Sequence, residues 1–279
     1  MRHRTAHDSI SWASTEIDLV ASVGSDGRGG DMRGDLTATT ITISGANGDQ
    51  VEAYFATPSD SLPRGSVVVI HHLPGYDAAT KEITRRFAAE GFAAICPNLY
   101  SREAPGADPD DAAATARALG GVPDERLVGD VAGAAAFLRT QPASNGAVGV
   151  IGYCSGGRQS VLAACSLDLQ AAVDCYGAFV VADVPGGFPF AFTKLTPLFE
   201  HLSCPLLGLF GAEDQFPSPE QNAEMASLLE AHGKSFTSHT FDGAGHAFFA
   251  TDRPSYRPEV ATRAWGIVLD FFGTHLIGA

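Results

Sequence analysis

The run Ala147-Val148-Gly149-Val150-Ile151-Gly152-Tyr153-Cys154-Ser155-Gly156-Gly157 decides how this chain folds. Its first half is short and apolar, its middle is a turn bracketed by glycines, and the residues that follow to about 165 have helical composition. The pattern reads as strand, sharp turn and helix, a nucleophile elbow with cysteine in the place usually held by serine. At such an elbow the central side chain is thrust outward, and bulk at Gly152 or Gly156 would collide with the packed strand and helix. Cys154 would then stand at a helix N-terminus, where the dipole favours a thiolate. Taken alone, the same residues also suit a glycine-rich turn whose cysteine only packs, so the neighbouring segments have to decide.

Those segments alternate. Thr39 to Ser44 and Gln50 to Ala56 each show period-two patterning around an Asn47-Gly48 turn, which predicts an antiparallel hairpin. Ser66-Val-Val-Val-Ile-His71 is a β-branched run of the kind found in strands buried on both faces. Helices are expected over 78–90, 124–139, 155–165, 219–232 and 259–275, and strands over 93–96, 148–151, 171–176, 205–210 and 235–241. Such alternation predicts an α/β fold with a mostly parallel central sheet, helices on both faces and the hairpin at its N-terminal side. The first 36 residues hold a Gly/Asp/Ser-rich stretch, and they are expected to form an irregular extension, with a short helix over 14–22, ahead of one domain over 37–279.

Composition removes several function classes. A formal charge of -14, from 18 Lys+Arg against 32 Asp+Glu, argues against a nucleic-acid partner, which would need a basic face. No run of 18 apolar residues and no apolar leader occurs, so neither a membrane span nor secretion is expected. Five cysteines without paired spacing suggest neither a disulfide framework nor a CxxC metal site and fit a reducing cytoplasm. The glycine spacing matches no phosphate-binding loop. No cofactor is expected, and the chain is expected to act as a monomer or homodimer on a small molecule.

A cysteine nucleophile needs a base, and His246 in Phe241-Asp-Gly-Ala-Gly-His246 follows a predicted strand on a glycine-flanked loop. An orienting acid is available in Asp214 of Gly211-Ala-Glu-Asp214, after the strand ending at Phe210. Nucleophile, acid and histidine come in the chain order of α/β-hydrolases, each at the carboxyl end of a strand. His246 would share the thiol proton and Asp214 would hold the imidazole tautomer. The backbone N–H groups of Ser155 and of Leu73, in His71-His72-Leu73-Pro74, are the expected oxyanion donors, since Pro74 has none to give. His71, His72 and His246 also invite a metal, but adjacent strand residues point to opposite faces, and no metal is expected.

Over roughly residues 40–275 the chain resembles the dienelactone hydrolases, the carboxymethylenebutenolidases of the α/β-hydrolase superfamily. The resemblance rests on the Gly152–Gly157 elbow, Cys96-Pro-Asn-Leu-Tyr100, Gly211-Ala-Glu-Asp214 and Gly243-Ala-Gly-His-Ala-Phe248. It implies a Cys154–His246–Asp214 triad that hydrolyses a small ester or lactone through a thioester. It also implies that Arg102, after the Leu-Tyr pair, binds a substrate carboxylate. His72 stands where the family has a glutamate that meets the resting thiol, and Ala250 where it has a second carboxylate-binding arginine. His72 and Tyr153 complete the expected substrate-binding residues. Two other functions suit the same residues: a thiol-reactive covalent binder or redox sensor, and a ligand-binding module without turnover.

Overall fold

A computed structural model describes residues 35–187 and 192–277 of the chain. The expected extension and its helix over 14–22 lie outside the described residues, apart from the last two positions of the extension. The first strands, β1 (Leu36–Ser44) and β2 (Gln50–Pro58), are joined by a turn in which Asn47 (φ 56°) and Gly48 (φ 82°) are left-handed. Asn-Gly tolerates that backbone, which is why the hairpin is legible in the sequence.

After the hairpin, strands and helices alternate. They are β3 (Arg64–Ile70), α1 (Ala78–Ala89), β4 (Ala93–Pro97), α2 (Pro109–Ala118), α3 (Asp124–Arg139), β5 (Ser144–Tyr153) and α4 (Ser155–Ser166). There follow β6 (Ala171–Cys175), β7 (Leu206–Gly211), α5 (Pro219–Ala231), β8 (Phe236–Phe241) and α6 (Pro258–Phe272). One sheet takes all eight strands in the order β1-β2-β4-β3-β5-β6-β7-β8. The pairs β1·β2 and β2·β4 are antiparallel, and every other pair is parallel. The α/β class, the mostly parallel sheet and the N-terminal hairpin are therefore as the sequence predicts.

The fully buried β3 shows how the layers arise. Val68 and Ile70 join a core with Leu127 and Val131 of α3 and Val161 of α4. Val67 and Val69 join a second core with Phe87 of α1 and Trp265 and Val268 of α6. Successive strand side chains point to opposite faces, so one uninterrupted apolar run feeds two helical layers.

Three details differ from expectation. Helix α2 carries no large apolar stripe and buries only Ala112, Ala113 and Ala116, so periodicity misses it. Its signal was Pro109 in the first turn followed by Asp110 and Asp111, which complement the helix dipole. A 3-10 turn at Thr196–His201 is likewise absent from the sequence reading. The last helix ends at Phe272 and continues as a π-helical turn over Gly273–Ile277. Among the described residues, no helix is long and apolar enough to cross a membrane.

Candidate active site

Every expected reacting group sits past the carboxyl end of a parallel strand. Cys154 follows β5 directly, with φ 57° and ψ -119°, a backbone that L-residues seldom adopt. The neighbouring strand and helix hold that strain: the Cys154 N–H donates to the carbonyl of Cys175 at 3.0 Å, and the Gly157 N–H donates back to the Cys154 carbonyl at 2.9 Å. A Cβ on Gly152 would run into the carbonyl of Gly156, and one on Gly156 would meet the Ile70 carbonyl at the end of β3. The elbow glycines thus allow α4 to start close against both β5 and β3. Cys154 stands at the N-cap of α4, and its side chain makes no capping hydrogen bond.

Asp214 lies in the turn after β7 and is 6% exposed. Its Oδ1 accepts the Phe216 N–H at 2.9 Å, and its Oδ2 receives Nδ1 of His246 at 2.9 Å. His246 lies past β8, and its ring meets Tyr176 edge-on, with centroids 5.1 Å apart. Burial favours the neutral imidazole, but hydrogen bonds to Asp214 and to the Cys154 sulfur outweigh it and push His246 up to about 10. A thiol, an imidazole and a carboxylate joined in this sequence can move a proton and stabilise the resulting imidazolium.

Cys154, His246 and Asp214 face a cavity of about 470 Å³ whose lining includes Leu73 and Ser155. Ser155 opens α4, so its N–H is one of the helix's unpaired donors. The His72–Leu73 peptide is fixed from its other end: the His72 carbonyl accepts from Nδ1 of His71 and from the Gly75 N–H, both at 2.9 Å. In a trans peptide the N–H opposes the carbonyl, so this pinning turns the Leu73 N–H the other way. The Leu73 carbonyl in turn accepts the Tyr100 hydroxyl at 3.1 Å. Nε2 of the buried His71 accepts the Leu99 N–H at 3.2 Å, which requires a neutral ring, and burial drives its pKa down to about 4.

The profile of the dienelactone hydrolase family matches residues 51–276. This chain belongs to the dienelactone hydrolase family. A relative from Salmonella typhimurium named "Putative carboxymethylenebutenolidase" is 32% identical over 243 residues, which cover 84% of this chain and 87% of the relative. A "Carboxymethylenebutenolidase" of Pseudomonas putida is 30% identical over 239 residues, covering 83% and 94%. Among solved structures, "Putative Dienelactone Hydrolase from Klebsiella pneumoniae" superposes with a TM-score of 0.75 at 27% identity, covering 86% of this chain and 99% of that one. The chain is thus a hydrolase of this family, with an α/β-hydrolase-type fold.

Within that family assignment, the expected substrate-binding side chains are elsewhere. Arg102 grips the fully buried Asp130 with both terminal nitrogens at 2.8 Å and gives its Nε to Asp49 at 2.7 Å. Its charge neutralises a buried acid, and it does not line the Cys154 cavity. Nε2 of His72 is bound to Asp77 Oδ2 at 2.6 Å, and the residue does not line the Cys154 cavity. Burial raises the Asp77 carboxyl, yet hydrogen bonds from His72 and from Thr80 hold it at about 2. Tyr153 packs against Phe249 and Tyr176 and, like His72, lines a separate space of about 70 Å³.

Sequence reasoning missed Arg158, which does line the cavity and is 1% exposed. The signal was a charged residue, the single one in the helix, four residues after the cysteine. Among the described residues no cluster of metal-binding side chains occurs. Both ring nitrogens of His71 are committed to backbone groups, and Nε2 of His72 to Asp77.

Proposed function

We propose that this hydrolase cleaves a small ester or lactone by nucleophilic catalysis at Cys154. The observation that carries the reading is His246, bonded through Nδ1 to a buried carboxylate and lining one cavity with Cys154. With the shared proton on His246, the Cys154 sulfur attacks the carbonyl carbon. The carbonyl oxygen takes up the negative charge and is held by the N–H groups of Leu73 and Ser155. Collapse of the tetrahedral adduct breaks the C–O bond, and the departing alkoxide takes the proton from His246. That leaves a thioester on Cys154; in a lactone the alcohol stays tethered to it. His246 then removes a proton from water, the hydroxide attacks the thioester, and the thiolate leaves with the imidazolium beside it.

The test is hydrolysis of p-nitrophenyl acetate by wild type and Cys154→Ala. Cys154→Ala is expected to lose several orders of magnitude in kcat/KM, while far-UV circular dichroism stays unchanged. Mass spectrometry after acid quench should find one acetyl group on Cys154. Turnover retained within about tenfold would refute the nucleophile. A single stoichiometric burst with no further turnover would mark a covalent binder instead.

A further inference from the structure

The walls of the Cys154 cavity say which substrates it can hold. One side is aromatic, with Phe179, Phe192 and Phe216 beside Leu73 and Ala178. The Phe179 and Phe216 rings pack at 5.7 Å, and Phe216 keeps 42% of its surface exposed at this wall. A large apolar side chain left open beside a reactive thiol favours an apolar group on the substrate.

The charges on the remaining walls point the same way. Two cations line the cavity among the described residues, Arg158 and His246. Both terminal nitrogens of Arg158 are bonded to the Asp124 carboxylate at 2.9 Å, and one also to the Thr193 carbonyl at 2.7 Å. Its Nε has no partner but is fully enclosed, so no ligand reaches it. Nδ1 of His246 is taken by Asp214, and the ring stands beside Cys154 at the reacting end of the cavity. Glu213 stands exposed at the cavity. Across Leu73-Pro74, a second surface recess carries Asp77, Asp108, Asp110, Asp111 and Asp252, with Arg253 as its one cation among the described residues. A carboxylate entering here would lose water and find carboxylates in place of a free guanidinium.

We infer that the cavity selects neutral esters or lactones bearing an aromatic-sized apolar group and discriminates against carboxylated ones. This rests on the cavity being the acyl-transfer site proposed above. The volume of about 470 Å³ falls within the range that encloses a small organic molecule.

The probes are 3,4-dihydrocoumarin and its ring-carboxylated analogue, tested by calorimetric titration of Cys154→Ala so that binding is read without turnover. The neutral lactone is expected to bind at least about tenfold more tightly than the anion. Phe216→Ala should weaken the neutral lactone by about five- to tenfold. Glu213→Gln should improve binding of the anion by about threefold and leave the neutral ligand unchanged. Equal or tighter binding of the anion, or no response to Glu213→Gln, would overturn the inference. Turnover of dihydrocoumarin by wild type and Cys154→Ala is measured alongside. Failure of the nucleophile reading shows there alone, while the calorimetric ratio decides substrate class.

Discussion

At His246, burial and hydrogen bonding pull the proton equilibrium in opposite directions, and hydrogen bonding prevails. Its pKa rises from an ordinary value near 6.5 to about 10. The folded state therefore binds this proton more tightly than the unfolded chain does. The stabilisation is complete below about pH 6.5 and is lost as pH climbs through about 10. Urea midpoints of wild type should fall over that window, and those of His246→Gln should fall less. Cys154 alkylation by iodoacetamide should also move to higher pH in His246→Ala, and an unchanged labelling profile would mean that the two groups are not coupled. Arg102 leads to a stability prediction of a different kind. Removing it strands Asp130, which also accepts the Ala46 N–H at 2.9 Å, without its counter-charge. Arg102→Ala should cost about 3 kcal/mol or more in urea denaturation, and should change kcat/KM for neutral and carboxylated substrates by the same factor.

Among the elements, the strand-turn-helix unit at Cys154 and the β-branched β3 were legible because their signals are local: glycine spacing, β-branching and the order of apolar runs. The pairing of charges was not. Arg102 finds Asp130 and Asp49 at sequence separations of 28 and 53, and Arg158 finds Asp124 at 34, distances over which no pattern reports a contact. A family position could say that an arginine stands after the Leu-Tyr pair, but not that an acid of α3 has claimed it. The loop after β3 shows the same limit. His71 looked like a possible ligand, whereas its ring braces the peptide that carries the Leu73 N–H, with Tyr100 packed edge-on at 4.7 Å. His71 is on this view a positioning residue. His71→Phe, which keeps the ring but removes its donor, should lower kcat by about tenfold to a hundredfold with little change in KM. His71→Asn, which retains a donor, should recover part of the loss. A change confined to KM would contradict this role.

Over the whole molecule, the parallel strands bring their carboxyl ends to one rim, and three side chains spread between positions 154 and 246 meet there. The class of fold follows from alternation alone, while the shape of the cavity depends on loops that periodicity does not describe. The distribution of sulfur has its own consequence at this scale. Cys96, Cys165, Cys175 and Cys204 are buried and unpaired, whereas Cys154 opens onto the cavity. Ellman's reagent added to the folded protein should therefore consume one equivalent of thiol per chain, and five after guanidinium unfolding. Two or more equivalents in the folded protein would mean that the sheet and helices screen these thiols poorly. With one, the native stoichiometry becomes a count of competent molecules, so that any preparation can be expressed as turnovers per working site, not per milligram.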